Sequence, residues 1–148
     1  MKERHSSHQT QWAAQFAVAS ELCKRGYQVA LTLGNHPAVD LMVQSPKGVQ
    51  FTIDVKGLYK SNFWVVKEKE LKDRLFYVFA FVPTGTENRF HIATQKEVNA
   101  ALKAKYEVDR KRTIAKGKSM PSEDKISISV LPFKLEPQWE DKWSILPP

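Results

Sequence analysis

The sequence predicts an α/β (α+β) domain in which helices flank a mixed β-sheet. Residues 10–25 place apolar side chains at helical spacing and end before Gly26, a typical helix stop. Residues 75–82 form a nearly continuous apolar run of strand length, which is typical of a central strand covered on both faces. The predicted order of helix, strands, helix and strand favours a mixed sheet.

The remaining elements follow from local patterns. Residues 94–110 predict a second helix, because Thr94 as N-cap and Glu97 three residues later form a capping box. Residues 45–48 contain Pro46 and Gly48, which favour a tight turn between two strands. The predicted strands other than 75–82 are 27–33, 40–44, 49–56, 90–93 and 126–131.

The length of 148 residues suits one domain over 1–148 with a single sizeable core. Residues 111–125 are basic, contain Gly117 and Pro121 and hold little apolar content, so they predict a mobile basic loop. Trp139 and Trp143 are four residues apart, and this spacing predicts that the tail packs back onto the core.

The formal net charge of +7 and the pI of about 9.5 favour a polyanionic partner, since basic side chains that neutralise phosphates release counterions. Charge alone also leaves anionic membranes open as a partner. No apolar run approaches the roughly 20 residues that span a bilayer, so we expect a cytoplasmic protein without a membrane segment. The single cysteine, Cys23, excludes an internal disulfide and a cysteine-based zinc site.

The strand 49–56 contains the first candidate residues for a functional site. Its side chains alternate between two faces, with Phe51, Ile53 and Val55 on one face and Asp54 and Lys56 on the other. The apolar set is explained as core. An acid and a lysine two residues apart on the polar face are either a surface ion pair or part of a functional site.

The hairpin register decides whether Asp40 joins them. A two-residue turn places Asp40 opposite Ile53, whereas a three-residue turn with Gly48 in the left-handed conformation places it opposite Asp54. The second register also gathers the apolar side chains on one face, with Met42 as the misfit, and burial therefore favours it. Directly opposed side chains lie about 4.5 to 5.5 Å apart, a separation at which two carboxylates share a divalent cation such as Mg²⁺ or Mn²⁺.

The segments "ELCKRGYQV", "HPAVDLMV" and "FTIDVKG" resemble the core of the PD-(D/E)XK nuclease superfamily, in particular its small resolvase-like and restriction-like members. The resemblance covers residues 11–57. It implies a restriction-endonuclease-like core and a Mg²⁺-dependent (or Mn²⁺-dependent) endonuclease acting on DNA. Asp40 matches the first acid, Asp54 the second and Lys56 the lysine. The carbonyl of Val55 matches a further metal ligand.

One position departs from the family's pattern. Many relatives carry a glutamate on the first helix that points into the site, and Gln15 stands at that place here. Its amide oxygen binds a cation or water more weakly than a carboxylate does. Glu21 is the available acid on this helix, but six residues at about 100° each turn it to another face. Because Gln15 replaces this glutamate, weakened metal binding and lost catalysis are both possible outcomes that the sequence leaves open.

Residues near the predicted site are candidate nucleic-acid contacts. They are His36 in the preceding loop and, after the strand, Lys60, Asn62 and Trp64, although His36 also fits a plain loop residue and Trp64 an ordinary core residue. A homodimer or higher homo-oligomer is compatible with cutting both strands of a duplex. Two other function classes stay open, namely a catalytically weakened module that binds nucleic acid or assembles with a partner, and a plain structural protein.

Overall fold

The computed structural model describes residues 5–32, 39–119 and 130–148. The helices are α1 (Ser7–Lys24) and α2 (Gln95–Ala115), and two short 3₁₀ turns follow near the C-terminus, Pro137–Trp139 and Trp143–Ile145. The strands are β1 (Gln28–Leu31), β2 (Leu41–Gln44), β3 (Gln50–Leu58), β4 (Trp64–Val65), β5 (Leu75–Phe81), β6 (Arg89–Thr94) and β7 (Val130–Leu131).

The main sheet has five strands in the order β1-β2-β3-β5-β6. The central pair β3 and β5 is parallel, while the three other neighbouring pairs are antiparallel. The predicted mixed α+β class is therefore confirmed, and the apolar run 75–82 forms an interior strand with neighbours on both sides. A separate two-stranded ladder joins β4 to β7, and β4 was not predicted.

Helix α1 covers one face of the sheet. Ser6 begins the helix with a capping box to Gln9, and the buried side chains of Ala14, Val18 and Leu22 form one apolar cluster with β2 and β3. A Cβ placed on Gly57 would lie 2.6 Å from the Cβ of Ala14, so glycine permits the close approach of this helix to β3.

Helix α2 covers the opposite face, where Val98 and Leu102 pack with Tyr77 and Phe79 of β5. The predicted capping box of Thr94 and Glu97 is confirmed. The helix continues to Ala115, however, so the prediction of a loop from residue 111 is wrong for 111–115. Lysine, arginine and alanine are good helix formers, and charge pairs such as Glu107 with Arg110 add support along the last turns.

The β2–β3 hairpin has the three-residue turn that burial favoured. Gln44 pairs with Gln50 and Leu41 with Ile53, and the Ser45 N–H donates to the Val49 carbonyl at 2.8 Å. Gly48 has a φ of 84°, in the left-handed region. Met42, the misfit in the apolar pattern, is 55% exposed on the face opposite α1.

The C-terminal tail packs back onto the core, as predicted, and it does so on both sides of the sheet. Trp143 joins the cluster under α1 and Trp139 joins the cluster under α2. Of the predicted strand 126–131, only Val130–Leu131 lies in the described part of the chain, where it forms β7. Among the described residues, no helix is both long and apolar enough to cross a lipid bilayer.

Candidate functional site

The site is built on the polar side of β3. Asp54 and Lys56 pair in the parallel ladder with Tyr77 and Phe79, which lie in the cluster under α2, so their side chains point to that face. Asp54 is 3% exposed, and its Oδ1 lies 2.9 Å from the Lys56 Nζ. The carboxylate of this pair is buried and the Lys56 side chain is 26% exposed, so the pair is not a fully solvated surface ion pair.

Asp40 reaches the site from the end of β2. Its backbone N–H donates to the Ile53 carbonyl at 3.1 Å, and its carboxylate Oδ2 accepts the backbone N–H of Val55 at 2.7 Å. Burial raises the pKa of Asp40, the hydrogen bond from Val55 opposes that rise, and the nearby charge of Asp54 adds to it. The Asp54 carboxylate is thus close enough for its charge to act on Asp40.

Helix α1 contributes two glutamines, one turn apart, that face the strand ends. The Gln15 Nε2 donates to the Asp40 Oδ1 at 3.2 Å, so this side chain does point into the site. The Gln11 Nε2 donates to the Val55 carbonyl at 2.9 Å. Glu21, by contrast, pairs with Lys24 and Arg25 on the helix surface, in agreement with its predicted orientation.

A second lysine enters the site from the segment between β4 and β5. The Lys69 Nζ lies 3.5 Å from the Asp54 Oδ2. Its segment is anchored to α2, where the buried Gln95 donates to the carbonyl of Glu70 and accepts the N–H of Lys72 at 2.7 Å. Sequence reasoning missed Lys69, because no periodic pattern marks a residue in an irregular crossover.

Among the described residues, three buried side-chain oxygens have no hydrogen-bond partner. They are the Oε1 of Gln15, the hydroxyl oxygen of Tyr77 and the Oδ1 of Asn99, whose amide nitrogen donates to the Lys69 carbonyl. Burial and the charge of Asp54 raise the pKa of Tyr77 to about 12, so the hydroxyl keeps its proton at neutral pH. Unpartnered buried polar atoms are uncommon and call for an explanation such as a bound ion or water.

The residues present fit a hard divalent cation. The oxygen donors are the carboxylates of Asp40 and Asp54, the unpartnered Gln15 Oε1 and the Val55 carbonyl, whose second lone pair is left free by the bond from Gln11. In the described ranges no three His, Cys, Asp or Glu side chains gather as a metal-binding group. The candidate set differs from such a group because it has two acids, one amide and one backbone carbonyl.

A groove of about 410 Å³ begins at Lys56 and runs between the start of α1 and the segment that follows β3. Lys60 and Asn62 are exposed in this segment, as a nucleic-acid contact requires. Trp64 is 2% exposed and donates its indole N–H to the Phe133 carbonyl. The prediction that Trp64 stacks on a base is therefore wrong, and Trp64 is a core residue.

Phe63 is the exposed aromatic ring of this groove, with 57% of its surface accessible. Sequence reasoning missed Phe63, which directly precedes β4. That strand has only two residues, too few to reveal from the sequence which side chains point outward. His36 lies outside the described residues. Comparisons with protein-family models, curated proteins and solved structures find no match for this chain.

Proposed function

We propose that this protein is a PD-(D/E)XK-type, metal-dependent endonuclease with a restriction-endonuclease-like core that hydrolyses phosphodiester bonds of DNA. The observation that carries the proposal is the meeting of Asp40, Asp54 and Lys56 at one end of the β2–β3 hairpin, beside an unpartnered amide oxygen. The formal net charge of +7 supports a polyanionic substrate.

Asp40 and Asp54 would hold Mg²⁺ or Mn²⁺, with Val55 and Gln15 supplying further oxygens. When bound, such an ion polarises the scissile phosphate and lowers the pKa of the attacking water. The Lys56 ammonium, fixed by Asp54, is placed to orient that water and to offset negative charge on the phosphate oxygens. The Val55 N–H orients the Asp40 carboxylate toward the same point.

The nucleic acid is expected to follow the groove that begins at Lys56. Phe63 lines this groove and supplies an aromatic face for an unpaired or terminal base, while the exposed Lys60 and Asn62 of the same segment are expected to supply polar contacts beside it. The basic side chains of α2 are expected to contribute less to this binding. Three of them are paired with acidic side chains of the protein, namely Lys103 with Glu68 at 3.5 Å, Lys105 with Asp109 and Arg110 with Glu107.

A second candidate is a module of the same fold that binds nucleic acid, or assembles with a partner, without turnover. The neutral Gln15 beside Asp40 favours it, because an amide holds a cation less tightly than a carboxylate. Homodimerisation stays a prediction under either function.

The decisive experiment adds Mg²⁺ or Mn²⁺ to purified protein with supercoiled plasmid, branched DNA and RNA. Nicking by the wild type that disappears in Lys56→Ala, but persists in the matched control Lys67→Ala at an exposed lysine, supports the enzyme. Salt-sensitive binding without cleavage, unchanged in Asp54→Asn, favours the module. Failure to bind any of the three substrates contradicts the nuclease and the nucleic-acid-binding module, and leaves a module that assembles with a partner or a structural protein.

A further inference from the structure

Both oxygens of the Asp54 carboxylate face an ammonium group. Oδ1 lies 2.9 Å from Lys56 and Oδ2 lies 3.5 Å from Lys69, while the Asp54 side chain itself is 5% exposed. The Oδ2 contact is longer than an ordinary charged hydrogen bond of about 2.7 to 2.9 Å, so Lys69 is the more weakly held of the two lysines.

The two lysines offset the two carboxylates of the site. Asp40 and Asp54 carry two negative charges, and the charges of Lys56 and Lys69 both act on Asp40. A divalent cation is therefore not needed to relieve repulsion between the two acids. A cation that binds at Asp54 must instead compete with an ammonium group already present.

The backbone of Lys69 is held in place by hydrogen bonds, whereas its side chain is free to move. Its carbonyl accepts the side-chain amides of Gln95 at 3.3 Å and Asn99 at 3.1 Å. Its side chain is 29% exposed and has a flexible four-carbon stem. The ammonium group can thus change partner without any movement of the crossover.

We propose that Lys69 is an exchangeable counterion, which leaves the Asp54 Oδ2 when a divalent cation binds there and then contacts a phosphate oxygen of the nucleic acid. This proposal rests on the proposed function. A bound cation repels the ammonium and a phosphate attracts it, so metal ion and nucleic acid each strengthen the binding of the other.

The test measures Mn²⁺ binding to the full chain by calorimetry, first without nucleic acid. Lys69→Met removes the competing charge, and we expect Mn²⁺ to bind about tenfold more tightly than to the wild type. The matched control, Lys67→Met, removes an exposed lysine of the same segment and should leave Mn²⁺ affinity unchanged. Lys69→Arg keeps the charge and should bind Mn²⁺ like the wild type.

The second experiment measures the affinity of the protein for a labelled DNA duplex with a hydrolysis-resistant backbone, with and without Mn²⁺. In the wild type Mn²⁺ should strengthen DNA binding, whereas Lys69→Met should lose that gain and show a salt slope smaller by about one. Thermal unfolding of each variant confirms that it is folded.

The outcomes separate the two proposals. Unchanged or weaker Mn²⁺ binding by folded Lys69→Met overturns the counterion role while leaving the nuclease open. Tighter Mn²⁺ binding with an intact Mn²⁺-dependent gain in DNA affinity overturns the phosphate contact. A wild-type protein that binds no Mn²⁺ even with DNA contradicts the proposed function, and the Lys69 proposal falls with it.

Discussion

The carboxylate of Asp40 accepts the backbone N–H of Val55 at 2.7 Å, so one acid of the candidate site also closes the open end of the β2–β3 hairpin. The ladder between these strands ends at the pair Leu41 and Ile53, so Asp40 lies one residue beyond the last paired residue of β2. Asp40 therefore has a structural task, satisfying a buried N–H, together with its proposed task of holding a cation.

Asp40→Asn is expected to raise the melting temperature of the metal-free protein at neutral pH. Burial raises the pKa of Asp40, so the folded state favours the protonated carboxyl. That stabilisation is fully present below the ordinary aspartate pKa of about 3.9 and is lost as pH rises through the raised value. The neutral amide imitates the protonated form and still accepts the Val55 N–H.

Thermal unfolding as a function of pH checks this expectation. The advantage of Asp40→Asn should shrink as the pH is lowered, because the wild-type carboxyl becomes protonated as well. If Asp40→Asn were less stable than the wild type at every pH from neutral down to the ordinary aspartate pKa, the ionised carboxylate would be the form that stabilises the hairpin.

Gln15→Glu is expected to tighten Mn²⁺ binding by about tenfold or more, since a carboxylate replaces an amide beside Asp40. In the absence of metal the same variant should melt at a lower temperature, because the new charge is buried next to another carboxylate. Calorimetric titration with Mn²⁺ measures the first effect. Ala13→Glu, at an exposed position of α1, adds the same charge away from the site and should change neither quantity.

Gln95→Ala is expected to destabilise the protein by about 2 to 4 kcal/mol, as it removes hydrogen bonds to three backbone groups of the crossover in a buried setting. Urea unfolding gives the free energy. Lys96→Ala, the exposed neighbour on α2, is the control and should lie within about 0.5 kcal/mol of the wild type. Equal stability of all three proteins would show that the crossover does not depend on this anchor.

Gly57→Ala is expected to cost about 1 to 3 kcal/mol, because its Cβ would meet the Cβ of Ala14 at 2.6 Å and force α1 away from β3. Gly85→Ala is the matched control, since a Cβ there meets no atom within 4 Å. In a double-mutant cycle, Ala14→Gly should recover part of the loss, although glycine within a helix itself costs about 1 kcal/mol. Strictly additive effects would contradict the proposed clash.

Phe63→Ala is expected to weaken binding of single-stranded DNA by about 1 to 3 kcal/mol without a comparable loss of stability. The ring is 57% exposed, so its removal leaves no cavity in the core. Fluorescence titration with a labelled oligonucleotide measures the affinity. Leu71→Ala, at a side chain that is 54% exposed and does not line the groove, should bind like the wild type.

The hairpin and its register could be predicted from the sequence, because a one-residue slip would turn Leu41 and Val43 away from the core. The meeting of Asp40 with Asp54 follows from that register. The end of α2 could not be predicted, since the basic composition of 111–115 is compatible with a loop and with a helix alike.

Lys69 could not be predicted for a different reason. Its contact with Asp54 depends on the parallel pairing of β3 and β5 and on the anchor at Gln95, and neither leaves a short-range pattern in the sequence. Trp64 is the buried ring of its segment because Phe133 and Phe79 pack against its indole, and the exposed ring is Phe63, for which the sequence predicted no role.

The parallel pairing of the two central strands has a consequence for folding. A parallel neighbour requires the chain to return along the whole length of the sheet before it can pair, so the crossover that carries Lys69 closes a long loop at an entropic cost. Lys69 reaches Asp54 only after that closure. A partly folded chain with the hairpin alone would hold both acids with one lysine, and the complete charge arrangement arises only when β5 pairs with β3.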